Sequence, residues 1–203
     1  MEQTTIDHSH GHAHAIDPVE EYKQSKFGMW LFLGTEILLF GGLFAAYAIF
    51  RAKYPEMFHH DHLELDWKLG ALNTMILIFS SMTMAMGVTA SKKGNKKLLI
   101  LMLAITIICG LAFGFNKYIE YSHKFEHHIY PSTSIFFSLY FMMTGLHMLH
   151  VFVGLLILAA LLILTCLNKF DESYNTPVEV GGLYWHLVDL IWIYLFPLLY
   201  LIS

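Results

Sequence analysis

The sequence has 203 residues, of which 56 % are hydrophobic and 14 % are charged, well below the roughly 25 % charged residues of a soluble domain. The formal net charge is −4 and no basic stripe runs through the chain, which argues against nucleic acid as a partner. The two cysteines, Cys109 and Cys166, lie in apolar runs without CxxC or CxxCH spacing, so nothing supports a disulfide framework, a thiolate metal site or covalent haem.

Five stretches of the chain are long and apolar enough to cross the ~30 Å hydrocarbon core of a bilayer, which takes about 20 helical residues. The sequence therefore predicts an all-α polytopic membrane bundle over residues 27–203, preceded by a polar tail over residues 1–26. The fourth span is the longest and must tilt or extend beyond the bilayer. The predicted spans cover residues 27–50, 69–90, 98–118, 135–167 and 181–202.

The polar tail carries alternating histidines at its centre, in the sequence HSHGHAHA. Its composition predicts a disordered or loosely held segment. Histidines recur in the longest loop, which covers residues 51–68. Imidazoles can bind soft divalent metals, but alternating histidines on a flexible tail make a weak site, and solvated polar surface is the favoured interpretation. The histidines concerned are His8, His10, His12, His14, His59, His60 and His62.

Glu36 lies near the middle of the first predicted span, within GTEILLFGG. A carboxyl at this depth is costly, so it requires a partner or a function. Its helical neighbours are apolar and offer no local counter-charge. Two interpretations stay open: a neutral carboxylic acid hydrogen-bonded to a neighbouring helix, or a carboxyl that exchanges protons or contacts lipid.

Small and weakly polar residues recur at helical spacing in the first three spans. Such stripes let helix backbones approach closely and let polar groups hydrogen-bond across helices. Helix packing is therefore favoured over a polar pore. The stripes comprise Gly34 and Gly41 in the first span, Asn73, Ser80, Thr83 and Gly87 in the second, and Thr106, Gly110 and Gly114 in the third.

The turn between the second and third spans carries four lysines within residues 91–97. Short lysine-rich loops mark the cytoplasmic side of a membrane protein. We therefore predict a cytoplasmic N-terminus and, because the number of spans is odd, a periplasmic C-terminus. The positive residues assigned to the periplasmic side are Arg51, Lys53, Lys68, Lys117 and Lys124.

Two histidines of the fourth span, His147 and His150, are three residues apart and share a helix face. A transmembrane haem needs two axial ligands, and His186 on the fifth span offers a second one. The sequence nearby lacks the basic groups that usually meet haem propionates. Hydrogen-bonded structural histidines are therefore favoured over haem ligands.

The fifth span contains YWHLVDLIW, in which one face presents an acid, an imidazole and two indoles near the membrane edge. A hydrogen bond between His186 and Asp189 would offset much of the cost of burying them. A satisfied pair in a helix contact is favoured over a catalytic proton relay. Trp185 and Trp192 flank this pair on the same helix.

Four segments, taken together and in this order, make the sequence resemble subunit III of haem–copper respiratory oxidases. The resemblance runs from about residue 27 to the C-terminus. The paired-histidine segment and the WHxVDxxW segment are each distinctive. The segments are LGTEILLFGGLFAAY around Glu36, LNTMILIFSS at Leu72–Ser81, TGLHMLHVFVG at Thr144–Gly154 and YWHLVDLIW at Tyr184–Trp192.

The resemblance implies a non-catalytic role in aerobic electron transport. In that family the third subunit carries no haem or copper and packs beside catalytic subunit I, which holds them, within a complex that also contains subunit II. It is thought to hold phospholipid, to protect the oxygen-reducing centre from turnover inactivation and to help maintain proton uptake. The resemblance thus implies no cofactor in this chain, haem and copper in partner subunits, bound phospholipid, and a multi-pass location in the bacterial cytoplasmic membrane.

The resemblance also implies candidate site residues. Glu36 matches the buried carboxyl of the family, which carbodiimide reagents modify. The other candidates carry structural or lipid-contact roles and include no catalytic or metal-binding residue. His147, His150, Trp185, His186 and Asp189 match other motif positions of the family, and Asn73 and Glu120 are further candidates.

Many cytochrome c oxidase members have seven helices, and the five spans match the last five of them. The lipid cleft that the family forms beside its first two helices would need another subunit to complete it here. Five-helix forms occur in bacterial cytochrome c oxidases and in cytochrome o-type quinol oxidases. Glu36 and the Asn73–Thr74 pair favour the cytochrome c branch. The alternatives are the quinol oxidase subunit, a nitric oxide reductase accessory subunit, and a proton or metal transporter.

Overall fold

The fold is that of a computed structural model, which describes residues 18–167 and 176–202. All regular secondary structure within these ranges is helical. The four tail histidines lie outside the described residues. Most of the loop between the last two predicted spans lies outside them as well.

Within the described ranges six α-helices follow one another, and a π-helical turn comes after the last of them. Five of them, α1 and α3 to α6, are long and apolar enough to span a membrane, so the predicted all-α bundle with five spans is confirmed. The elements are α1 (Pro18–Lys53), α2 (Pro55–His62), α3 (Trp67–Lys92), α4 (Lys96–Glu126), α5 (Ile135–Cys166), α6 (Thr176–Phe196) and the π-turn (Pro197–Leu201).

Side-chain caps set the starts of the three central helices. The carboxylate of Asp66 accepts hydrogen bonds from the first backbone amides of α3, and Asn95 and Ser134 cap α4 and α5 in the same way. Such caps satisfy amides that have no partner within the helix. Gly94 has a φ of 65°, the left-handed conformation that lets the chain reverse between α3 and α4 within three residues.

Helix α4 continues to Glu126, eight residues beyond its predicted end at residue 118. Lys117 and Lys124, which were counted with the positive residues of the periplasmic side, are thus not loop residues, and the side on which they lie stays a prediction. Both lie within α4 and are buried, with 1 % and 4 % of their surface exposed. Polar residues in the last turns of α4 lowered the local hydropathy, but these residues face other helices.

Helix α6 is the centre of the bundle and α1 lies at its periphery. In the most apolar part of each span, 56 % of the residues of α6 are buried, against 17 % of those of α1. Helix α6 packs on α3 and α5, while α3 and α4 form an antiparallel hairpin. Helix α1 contacts α5 and α6 along one side. Its remaining surface is free to meet lipid or another subunit.

Candidate functional site

Glu36 on α1 meets His150 on α5 in the interior of the membrane domain. The Oε2 atom of Glu36 lies 2.9 Å from Nε2 of His150, and each side chain is 13 % exposed. The other ring nitrogen of His150 lies 2.8 Å from the backbone oxygen of Leu146. A carbonyl only accepts, so this Nδ1 carries a hydrogen. One further hydrogen then occupies the bond between Nε2 and Oε2, and the pair is neutral overall wherever that hydrogen resides.

The contact between Glu36 and His150 answers part of what the sequence left open. The carboxyl is hydrogen-bonded to a neighbouring helix, as the first interpretation of Glu36 required. The prediction of a hydrogen-bonded His150 is likewise confirmed. Proton exchange and lipid contact by Glu36 stay predictions. The sequence did not identify His150 as the partner because the two residues are 114 positions apart.

Polar contacts also tie both ends of α1 to α6 and the turn that follows it. At one end, Lys26 Nζ lies 3.0 Å from Oε2 of Glu179, on the first turn of α6. At the other end, the hydroxyl of Tyr47 donates to the backbone oxygen of Leu198 at 3.0 Å. With Glu36 between them, three polar contacts about 15 Å apart along the axis hold a helix that is otherwise little buried.

His147 is fully buried, and neither of its ring nitrogens has a hydrogen-bond partner among the described residues. The prediction of a hydrogen bond is therefore wrong for this histidine. Its ring packs against two aromatic rings instead, with centroid distances of 5.6 Å to Phe113 and 5.3 Å to Trp192. His147 thus differs sharply from His150, although both lie on one helix face.

The predicted hydrogen bond between His186 and Asp189 is wrong, because both side chains meet two adjacent serines of α3 instead, and Ser81 contacts both of them. Nδ1 of His186 lies 2.7 Å from the hydroxyl oxygen of Ser81. The hydroxyl of Ser80 donates to Oδ2 of Asp189 at the long distance of 3.5 Å. Residues three apart on a helix diverge by about 60° around the axis, so the two side chains reach the serines of α3 rather than each other.

The segment around Asp189 lies in the middle of α6. The helix runs from Thr176 to Phe196, so residues 184–192 are remote from both of its ends, and their place near the membrane edge stays a prediction. Both indoles are fully buried and each donates to a hydroxyl of α3. Trp185 donates to Ser80 and Trp192 donates to Thr74, both at 3.1 Å. This face of α6 therefore binds α3 through a ladder of hydrogen bonds.

The predicted small-residue stripes of α3 and α4 form close contacts between these two helices. Thr83 and Thr106 share a hydrogen bond of 2.8 Å, and Asn116 donates to Asn73 at 2.9 Å. The packing prediction is confirmed for this pair of helices. A Cβ added at Gly34 of α1 would meet no atom within 4 Å beyond its own stretch of helix, among the residues that the structure describes. The same is true of Gly41, so close packing at both positions is wrong within this chain.

The glycines of α4 and α5 hold Trp185 between them. A Cβ added at Gly110 would lie 2.8 Å from Cη2 of the indole. One added at Gly154 would lie 2.9 Å from its Cε3 atom. Both distances are shorter than van der Waals contact allows. The indole of α6 thus reaches the backbones of two other helices, and any side chain at either glycine would displace it.

A buried ionic cluster joins α4, α5 and the π-turn. Lys117 Nζ donates to Oε2 of Glu120 at 2.8 Å, to the hydroxyl of Tyr200 at 2.9 Å and to that of Tyr140 at 3.3 Å. The other carboxylate oxygen of Glu120 accepts from both phenols, at 2.5 and 2.7 Å. All three ammonium hydrogens of Lys117 therefore have acceptors. We call these four residues the Lys117 cluster.

Glu120 was a candidate from the sequence, but its three partners in the Lys117 cluster were not predicted. Lys117 and Glu120 have opposite charges three residues apart, a spacing that brings side chains together on a helix. The signal available in the sequence was this pair of opposite charges at the end of an apolar run. The two tyrosines gave none, because they come from 20 and 80 residues further along the chain.

Within the described ranges, no three histidine, cysteine or acidic side chains form a group that could hold a metal ion. The histidines that the sequence offered as haem ligands take separate surroundings. His150 pairs with Glu36, His186 with Ser81, and His147 packs among aromatic rings. Each of these three contacts joins two helices.

Comparison with known proteins gives a single family. The family model described as Cytochrome c oxidase subunit III matches residues 7–203. A probable cytochrome c oxidase subunit 3 of Nocardia farcinica is 36 % identical and covers 86 % of each chain. The cytochrome c oxidase subunit 3 of Thermostichus vulcanus is 35 % identical, covering 99 % of this chain and 98 % of the relative.

A relative whose name gives ubiquinol as the electron donor matches over a similar share of the chain. The cytochrome bo(3) ubiquinol oxidase subunit 3 of Pseudomonas aeruginosa is 32 % identical, covering 98 % of this chain and 92 % of the relative. The five spans and the near-complete match agree with the resemblance seen in the motifs. The chain belongs to the cytochrome c oxidase subunit III family, the third subunits of haem–copper oxidases.

Proposed function

We propose that this chain is the non-catalytic third subunit of a bacterial cytochrome c oxidase. In this proposal it lies in the cytoplasmic membrane, packs on the haem–copper subunit I beside subunit II, and carries no redox cofactor. Its role is to stabilise the catalytic subunit and support proton uptake during turnover. One observation carries the non-catalytic role: Glu36, His150 and His186, the candidates for chemistry within the membrane, have protein partners that join helices.

Cytochrome c is the proposed electron donor, and a quinol is the second candidate. Relatives named for either donor match this chain at similar identity, so identity does not separate the two. The Asn73–Thr74 pair supports the cytochrome c branch. Here Asn73 accepts a hydrogen bond from Asn116 of α4, and Thr74 accepts one from Trp192 of α6. The pair therefore links α3 to two helices.

The assignment is tested on the complex purified through an affinity tag on this subunit. We expect the complex to contain a haem-bearing subunit and to oxidise reduced cytochrome c faster than ubiquinol. The separated chain is expected to show no haem absorbance. Preferred oxidation of ubiquinol would establish the second candidate. Stoichiometric haem on the separated chain, or a nitric oxide reductase as the only partner, would contradict the proposal.

For Glu36→Ala we expect a normal initial rate of oxygen reduction and a several-fold shorter lifetime during turnover. The change leaves the buried His150 without its partner, which costs about 1–3 kcal/mol. In this proposal the chain carries no redox cofactor, so the change does not touch an electron route. Oxygen consumption by the purified complex, followed until activity stops, gives both quantities.

The matched control for this experiment is Glu36→Gln, whose amide can still donate to Nε2 of His150. A structural role predicts a near-normal lifetime for Glu36→Gln. Proton exchange by the carboxyl predicts that Glu36→Gln fails as Glu36→Ala does. An immediate loss of oxygen reduction in Glu36→Ala, at unchanged assembly and haem content, would contradict the non-catalytic role.

A further inference from the structure

Two clefts flank α3 at the end where it enters the lysine-rich turn. The first cleft lies between α3, α6 and α1 and has a volume of about 320 Å³. Val88 and Leu183 form part of its apolar wall, and Lys92 and Lys26 lie at its end toward the turn. Glu179 joins the two lysines, with its oxygens 2.7 Å from Lys92 Nζ and 3.0 Å from Lys26 Nζ.

The second cleft lies on the other side of α3, against the start of α4. Its volume is about 430 Å³, and Met82, Met86 and Leu98 supply apolar surface. Lys93 and Asn95 line its end at the turn. Ala85 borders both clefts, so the two are neighbours separated by the edge of one helix.

The two clefts share one chemical pattern. Each has an apolar wall made by a membrane-spanning helix and a lysine at the level where the span ends. Lys92 stays half exposed even though it contacts Glu179. The sequence contains no acidic residue between Asp66 and Glu120, so the turn itself is strongly positive. Basic pockets between membrane helices at this level suit anionic lipid headgroups.

We propose that these two clefts bind acidic phospholipids, one in each, with the phosphates at Lys92 and Lys93 and the acyl chains along α3. The apolar walls match acyl chains because helices that can span a membrane supply them. The charge of the turn selects an anionic headgroup over a zwitterionic one. This inference requires only that the chain spans a membrane, so it is independent of the electron donor and of the catalytic partner.

The test compares the double variant Lys92→Gln/Lys93→Gln with the control Lys53→Gln/Lys68→Gln, which removes two lysines from the opposite ends of the helices. Complexes are placed in nanodiscs of phosphatidylcholine with a minority of phosphatidylglycerol, and retained lipids are counted by native mass spectrometry. We expect the parent and the control to retain two phosphatidylglycerol molecules at these sites. Each lysine near an anionic lipid contributes ~1 kcal/mol, so each removal weakens retention about fivefold.

Two further variants keep the test independent of folding. Lys93→Gln removes no ion pair seen in the structure, and we expect it to lose the lipid of the second cleft alone. Glu179→Gln breaks the bridge between Lys92 and Lys26 but keeps both charges, and we expect both lipids to stay. Equal retention of phosphatidylcholine and phosphatidylglycerol by the parent would overturn the proposal. So would a loss of lipid in Glu179→Gln that matches the loss in the lysine variants.

Discussion

Replacing Glu120 by leucine is expected to destabilise the subunit by about 3–5 kcal/mol, the largest effect expected of a single carboxyl in this chain. Lys117 is 1 % exposed, so its charge would remain buried without a counter-charge. Removing one member of a buried ion pair costs far more than the pair contributes, because desolvation of the remaining charge is no longer compensated. Lys117→Met is expected to be harmful for the same reason.

The double variant Lys117→Met/Glu120→Leu is expected to recover most of the lost stability. Both replacements are apolar and similar in length to the original side chains, so they fill the space without leaving either member of the pair alone. The phenols of Tyr140 and Tyr200 lie 3.4 Å apart and can bond to each other once the ion pair is gone. Buried pairs in other proteins have been replaced in this way without loss of stability.

The measurement is the temperature at which half of the subunit has left the solubilised complex, read by size-exclusion chromatography after heating. Lys68→Met is the matched control, since this lysine is exposed and its loss should change stability by no more than about 0.5 kcal/mol. Additive losses in the double variant would show that the two side chains do not act as a pair.

The Lys117 cluster also shows which feature of this fold could not be predicted from the sequence alone. Length and hydropathy predicted five spans because a membrane requires about 20 apolar residues for each one. The same criterion ended α4 at residue 118, since Lys117, Glu120 and Lys124 lower its hydropathy. In the structure these polar groups face other helices or loops, so the helix continues to Glu126. A local average cannot detect partners that lie elsewhere in the chain.

Partners within the membrane domain were harder to predict than the residues themselves. Glu36 and His150 were both identified as unusual, but their contact depends on how α1 and α5 rotate about their axes. The His186–Asp189 prediction used spacing within one helix and failed because α3 places adjacent serines opposite α6. Spacing shows which residues share a face, whereas packing decides what that face meets.

Gly154→Ala is expected to destabilise the subunit by about 1–3 kcal/mol, even though alanine is the better helix former. The added Cβ would lie 2.9 Å from Cε3 and 3.0 Å from Cζ3 of Trp185, and 3.2 Å from a ring atom of Tyr184. These atoms belong to rigid rings. Trp185 cannot retreat, because Gly110 of α4 is already in contact with the opposite edge of the indole.

Gly34→Ala is the matched control for this substitution. It makes the same chemical change in another span, where the new Cβ meets no atom of another described element within 4 Å. Helix propensity alone should then stabilise α1 by up to about 1 kcal/mol. The two glycine substitutions are thus expected to have opposite signs in the subunit-dissociation measurement. Equal shifts would show that packing on Trp185 does not determine the cost.

A double-mutant cycle identifies the indole as the cause. Trp185→Phe alone removes the hydrogen bond to Ser80 and leaves a void, so it is expected to be destabilising. In Gly154→Ala/Trp185→Phe the added methyl group occupies part of that void. The combined loss should therefore be smaller than the sum of the two single losses by about 0.5–3 kcal/mol. Strict additivity would mean that the methyl group is accommodated elsewhere and that Trp185 does not fix the distance between α5 and α6.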